Sequence, residues 1–256
     1  MVLPPEILDE VLGYVPPDED GEPTLLACAL VATWWTGPSQ RRLFSSVEIH
    51  EDNYQRWMNA VVSPAPNTHL LGYVRSLWHS RGTSPETRYR IRDLARDSGG
   101  YLSALCNLHS LTLHNSGVEC IGEEDFRTCF SVFRETLTHL SLEESSTSFN
   151  AFVALVDYFP NITSLELDWL VLEPDEGSVP PPLSRPLRGK ICIQEIGVEH
   201  LEFFNRFAEL DLEYEEMVID SEFSHVYVEE RFLESTLRIS ASTLKFLRMT
   251  AALPCE

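Results

Sequence analysis

Leu108-His109-Ser110-Leu111-Thr112-Leu113 and Ile162-Thr163-Ser164-Leu165-Glu166-Leu167 share one pattern: an apolar residue, two polar ones, then Leu-x-Leu. Looser copies follow the same rule. Leu140-x-Leu142, Ile191-x-Ile193, Met217-x-Ile219 and Leu247-x-Met249 complete six apolar-x-apolar cores. Their second members stand 29, 25, 26, 26 and 30 residues apart along the chain. Tyr73-Val74-Arg75-Ser76-Leu77-Trp78 reads as a degenerate first unit. A period of this size is the mark of stacked structural units.

A strand this short cannot bury itself. Stacked on similar neighbours it forms a parallel sheet, with the returning segments covering one face. Strand side chains alternate, so the flanking apolar members face the covered side. Thr112, Ser141, Glu166, Cys192, Val218 and Arg248 then face the other side. Helical spacing between the cores supplies the covering. Phe126, Phe130 and Phe133 share one face over residues 123–135, and Phe149, Phe152, Val153 and Val156 do so over residues 149–158. Residues 198–207 and 226–240 follow the same spacing more loosely. The prolines between Glu173 and Arg188 predict a surface loop. Residues 79–100, with Arg81, Arg88, Arg90, Arg92 and Arg96, predict a basic amphipathic helix.

The N-terminal segment is of another kind. Pro4 and Pro5 are tolerated at a helix start, where the missing N–H would lack a partner anyway. Ile7, Leu8, Val11, Leu12 and Val15 follow at helical spacing. Pro16-Pro17 stops the helix and an acidic loop follows. Thr24 is a candidate cap for a second helix, apolar almost all round from Leu25 to Trp35, which must be buried on more than one side. Gly37-Pro38 is predicted to end it, and Ser39 to Phe44 to form a short third helix.

These residues resemble the F-box motif. The resemblance runs through Leu3-Pro4-x-Glu6-Ile7, Leu26, Cys28-x-Leu30-Val31, Trp35 and Leu43-Phe44. Where the family often carries Cys-Arg after Leu-Val, this chain has Ala32-Thr33. The resemblance implies a three-helix module over residues 1–46 that docks on a Skp-type adaptor of a cullin ubiquitin ligase. Leu3, Pro4, Ile7, Leu26, Leu30, Val31 and Trp35 are the residues it assigns to the adaptor or to the module's own core. Residues 107–256 resemble an irregular leucine-rich-repeat solenoid, and residues 47–106 form a helical linker with the degenerate first repeat. The expected fold is therefore α/β, a helical module followed by a repeat region with a parallel sheet. A compact α/β domain is the alternative that the pattern leaves open.

Composition narrows the function. The 256 residues carry 19 Lys+Arg against 40 Asp+Glu, a formal charge of −21 that argues against nucleic-acid binding. Residues 195–234 hold thirteen of the acids, a surface suited to solubility or to a basic partner. The longest apolar run, Leu25 to Ala32, falls far short of the roughly 20 residues that cross a bilayer. The first fifteen residues lack Lys and Arg and do not read as a signal peptide. The chain reads as intracellular, cytoplasmic or nuclear.

The six cysteines form no CxxC pair and read as reduced core residues. No P-loop, GxGxxG, HExxH or GxSxG motif occurs, so neither catalysis nor a cofactor or metal is expected. Leu253-Pro254-Cys255-Glu256 follows the last core without a polar capping unit, which predicts missing repeats or an exposed edge.

The function that follows is substrate recruitment within a ubiquitin ligase. The helices bind the adaptor, and Thr112, Ser141, Glu166, Val218 and Arg248 present an open face to an unidentified protein target. A scaffolding repeat protein with no ligase role is the competing expectation.

Overall fold

The apolar-x-apolar cores become the strands of one sheet. The computed structural model describes residues 4–16, 20–57, 59, 68–80, 89–90, 101–118, 130–173, 183–194, 206–207, 210, 212–221 and 242–251. Within them, strands β4 (Ser110–His114), β6 (His139–Glu143), β8 (Ser164–Asp168), β10 (Leu187–Gln194), β11 (Leu212–Ser221) and β12 (Phe246–Ala251) pair in chain order, all parallel. Two strands precede them. β2 (Ser76–Ser80) is the degenerate unit expected from Tyr73 to Trp78. β1 (Ser46–Ile49), at the other side of β2, was not expected; it completes an eight-stranded sheet in which both pairings are again parallel. The protein is mixed α/β, with a parallel central sheet and few helices.

Register sets the core. Leu111 stands opposite Leu140, Leu140 opposite Leu165, Leu165 opposite Ile191, and Ile191 opposite Met217. Two residues on, Leu113, Leu142, Leu167, Ile193 and Ile219 form a second continuous row, every member buried. Adjacent strands lie roughly 4.8 Å apart, so neighbouring side chains in a row touch. Only β2 departs from the aliphatic rule: His79, buried, takes the place that Leu113 holds on β4.

Between the strands, a helix (Phe149–Tyr158) forms where the spacing of Phe149, Phe152, Val153 and Val156 predicts it. The Ser148 side chain caps it, accepting from the Ala151 N–H at 3.2 Å. Phe130, Phe133 and Phe159 cluster beside it, their ring centroids 5.7 to 6.1 Å apart. The described end of the expected 123–135 helix is a single 3-10 turn, Ser131–Phe133. Residues 123–129 of that helix, most of the 198–207 stretch and the whole of 226–240 lie outside the described residues.

A second sheet of four short parallel strands runs beside the first: β3 (Tyr89–Arg90), β5 (Ser116–Val118), β7 (Ser146–Ser148) and β9 (Val171–Glu173). Tyr89–Arg90 is thus strand within a stretch whose basic spacing predicts helix. β9 and β10 likewise take the two ends of the predicted Glu173 to Arg188 loop. The corners between the sheets share one device. Asn115, Glu144 and Trp169, each directly after a long strand, have φ of 49°, 47° and 47°. The left-handed turn lets the Asn115 N–H donate to the Glu143 carbonyl and the Glu144 N–H to the Asp168 carbonyl, at 2.9 and 2.8 Å. Asn tolerates this conformation; Glu and Trp adopt it at a steric cost that the paired strands offset. Ser145, fully buried, ties the corner by donating to the Leu113 carbonyl at 2.9 Å.

At the N-terminus, α1 (Pro5–Gly13), α2 (Glu22–Val31) and α3 (Thr33–Leu43) pack together, burying Leu8, Leu12 and Leu25. α2 begins at Glu22, with Gly21 rather than Thr24 in the capping position. Gly37-Pro38 does not end it. The break falls at Ala32, whose backbone is extended, and α3 runs through Pro38. Pro38 forfeits one helical hydrogen bond there, but it is buried and its ring packs in place of that bond.

Two substitutions test this framework. Leu142→Ala should lower the unfolding free energy by about 2–5 kcal/mol in urea titration, as expected of a fully buried leucine. Gly189 has φ +90°, at a register shift in β10, and a Cβ there would stand 2.1 Å from the Thr163 carbonyl oxygen. Gly189→Ala should therefore cost at least roughly 1–3 kcal/mol in the same titration.

Candidate functional site

Two surfaces carry residues that packing within the chain leaves unexplained. The first is on the helices. α1 turns Leu8 and Leu12 inward and leaves Ile7, Val11 and Tyr14 outside. α2 buries Leu25 alone; Leu26 is exposed, and Leu30 and Val31 are 87% and 72% exposed. The expectation that this apolar helix is buried on more than one side is therefore corrected within the described chain, because no described element covers its outer side.

Of the residues that the motif assigns here, Ile7, Leu26, Leu30 and Val31 are exposed, and Pro4 lies exposed just before α1. Trp35 is half-buried, its ring 5.6 Å from that of Trp34. Leu3 lies outside the described residues. The motif missed Val11 and Tyr14, although the spacing of α1 places them beside Ile7. Exposed large apolar residues on neighbouring helices mark an interaction surface.

The second surface is the open face of the eight-stranded sheet, where alternation places three rows. The middle row reads Glu48, Trp78, Thr112, Ser141, Glu166, Cys192, Val218, Arg248. Five of these are the residues assigned to target binding. Glu166, Val218 and Arg248 line one cavity of about 410 Å³, together with Lys190, Cys192 and Asp220. Thr112 is half-buried and does not line it. Ser141 is a correction: it is 2% exposed, its hydroxyl donating to a Glu143 carboxylate oxygen at 3.3 Å. A small side chain between two larger rows is roofed by them, so alternation gives the face but not the exposure. Cys192 is buried in the floor, and burial raises its thiol pKa. Cys106, by contrast, is exposed rather than a core residue.

Polar contacts bind the rows laterally. The Trp78 indole N–H donates to the other Glu143 oxygen at 3.1 Å, spanning β4, and the Trp78 and His114 rings stand 5.1 Å apart. His139 Nε2 lies 3.5 Å from Glu166, and the hydrogen bond between them holds the Glu166 carboxyl below its usual range, against the effect of burial. Asp168 is the opposite case. Partial burial, then the charges of Glu143 and Glu144, push its carboxyl above the usual range. One of its oxygens is buried with no hydrogen-bond partner.

Ser80, His114 and Glu144 stand in line. The Ser80 hydroxyl, buried, faces His114 Nδ1 at 2.9 Å, while Glu144 is 3.6 Å from Nε2, beyond hydrogen-bond range. Among the described residues no three His, Cys, Asp or Glu side chains converge as a metal site requires. No helix among them is long and apolar enough to cross a membrane. What the two surfaces can do is bind: one by apolar burial, the other by charge and shape.

In comparison with known proteins, no family model matches the chain and no curated protein matches it in sequence.

The strained carboxyl gives a sign-specific prediction. The folded pKa of Asp168 lies above its unfolded value. Stability from this group is therefore full below the unfolded pKa and is lost as pH rises through the folded pKa. Asp168→Asn should raise the urea midpoint at pH 7, and that gain should shrink as pH falls through the acidic range.

Proposed function

We propose that this protein is the substrate-recruiting subunit of a Skp–cullin–F-box ubiquitin ligase. The observation that carries the reading is α2. A helix apolar nearly all round keeps Leu26, Leu30 and Val31 in solvent, at positions the F-box resemblance assigns to the adaptor interface. Removing such side chains from water supplies about 25 cal/mol per Å² of apolar area, so a partner on this side gains what the chain alone forgoes. The three helices are then the adaptor-docking module. The sheet with its registered rows is an irregular leucine-rich-repeat solenoid, and its open face holds the target.

The protein itself performs no bond chemistry in this scheme. It acts by proximity, raising the effective concentration of a target lysine beside a charged conjugating enzyme. Its setting is the cytoplasm or nucleus, where such ligases work. The competing reading, a scaffold with no ligase role, leaves the exposure of Leu30 and Val31 without a purpose.

Leu30→Asp with Val31→Asp tests the proposal by co-purification with a Skp-type adaptor. Both positions face solvent in the free chain, so the circular dichroism spectrum should be unchanged. Burying two unpaired charges at an interface should cost roughly 3 kcal/mol or more, over a hundredfold in affinity. An adaptor that never co-purifies with the parent chain, or that binds the variant equally well, would reject the ligase role.

A further inference from the structure

In a chain of formal charge −21, the described residues include a notch where positive charge converges. Between the helices and the start of the sheet lies a cavity of about 220 Å³, lined by Arg41 and Arg42 of α3, Arg75 just before β2, Ser45, Tyr73 and Asp9. Leu12 and Pro38 supply apolar walls. Three guanidinium groups against the one Asp9 carboxylate leave two positive charges in the lining.

Two of the three are held in place with donors to spare. Arg41 engages both Asp9 oxygens through Nη2 alone, at 2.7 and 2.9 Å. Its Nε and Nη1 remain. Arg42 donates from Nε to the Val15 carbonyl at 3.1 Å and from Nη2 to the Gly13 carbonyl at 3.2 Å, satisfying the last turn of α1. Its Nη1 remains. The Arg75 backbone is fixed between strands, its N–H donating to the Ser45 carbonyl at 2.8 Å and its carbonyl accepting from His109 and Ser110. Its guanidinium is exposed and makes no hydrogen bond or ion pair, so all five of its N–H donors are available.

We propose that this notch binds a phosphate dianion, either inorganic phosphate or a phosphate monoester. Two excess positive charges match a dianion. A planar guanidinium fork suits a tetrahedral oxyanion through paired N–H donors, as a lysine point charge does not. Arg41 and Arg42 are anchored before a ligand arrives, so little side-chain entropy is lost on binding. The Ser45 and Tyr73 side chains add polar groups at the wall. The inference stands on the cavity and is independent of the ligase reading.

The test is isothermal titration at fixed ionic strength, using inorganic phosphate in one arm and N-acetylphosphoserine amide in the other. The parent chain should bind at least one of them saturably. Binding of the inorganic ion alone assigns the free ion as the source; tighter binding of the second probe assigns the ester. Arg75→Ala should weaken binding at least tenfold, Arg75→Glu should abolish it, and Arg75→Lys should lie between the parent and Arg75→Ala. Because the Arg75 side chain has no partner to lose, the thermal midpoint without phosphate should stay put in these variants. Arg188→Ala is the control, since Arg188 lies exposed on β10, four strands along the sheet from β2. Absence of saturable binding by either probe would overturn the proposal. So would an equal loss in Arg188→Ala, because that marks a bulk charge effect.

Discussion

Aliphatic side chains meeting in register across parallel strands hold this protein together. A strand of five residues has little to bury, and an isolated pair of such strands is marginal in water. From β4 to β11 each row runs from strand to strand without a break, so Leu140, Leu142, Leu165, Leu167, Ile191 and Ile193 each lie between two apolar neighbours on the same face. The polar backbone is satisfied by the same stacking, since each strand's N–H and C=O groups pair with both neighbours. Register and burial are therefore one constraint. A slip by one residue would turn the apolar rows outward and put Glu166 and Arg248 into the core.

That constraint leaves the other side of the sheet free. The open face does not contribute to the main core, so its residues are chosen by other pressures. It carries mixed charges, a hollow at its later strands, and one carboxyl, Asp168, held in surroundings that disfavour its charge. Left-handed corners at Asn115, Glu144 and Trp169 end the strands beside this face and turn the chain into the second sheet. The apolar core and the charged hollow thus lie on opposite sides of the same strands.

The helices obey a different logic. Leu8, Leu12 and Leu25 make a small core of their own, outside the continuous core of the sheet. So few buried residues give a thin core, while larger apolar side chains stand outside it. The arginine-lined notch lies where α1 and α3 meet the start of the sheet, and within the helices Arg42 ties α3 to α1 by capping the end of α1.

The sequence by itself determined the parallel sheet, because alternation with a period near 26 residues admits few other ways to bury Leu-x-Leu pairs. It placed the strands of β2, β4, β6, β8, β10, β11 and β12, the helix at Phe149–Tyr158, and the apolar residues of α1 and α2. It did not show β1, whose Val47 and Ile49 are too few to make a periodic signal, nor the second sheet, whose strands of two or three residues are too short to carry an alternating pattern. The extension of α3 through Gly37-Pro38 was also hidden, since local propensity marks that pair as a stop and only packing against α1 and α2 outweighs it. Tertiary structure alone decided exposure. Val31 and Leu25 are equally apolar, yet one is outside and the other buried, because burial depends on which neighbours arrive. The arginine notch is of the same kind: residues 41, 42 and 75 are unremarkable in sequence, and only the packing of two helices on a strand end brings their charges to one cavity.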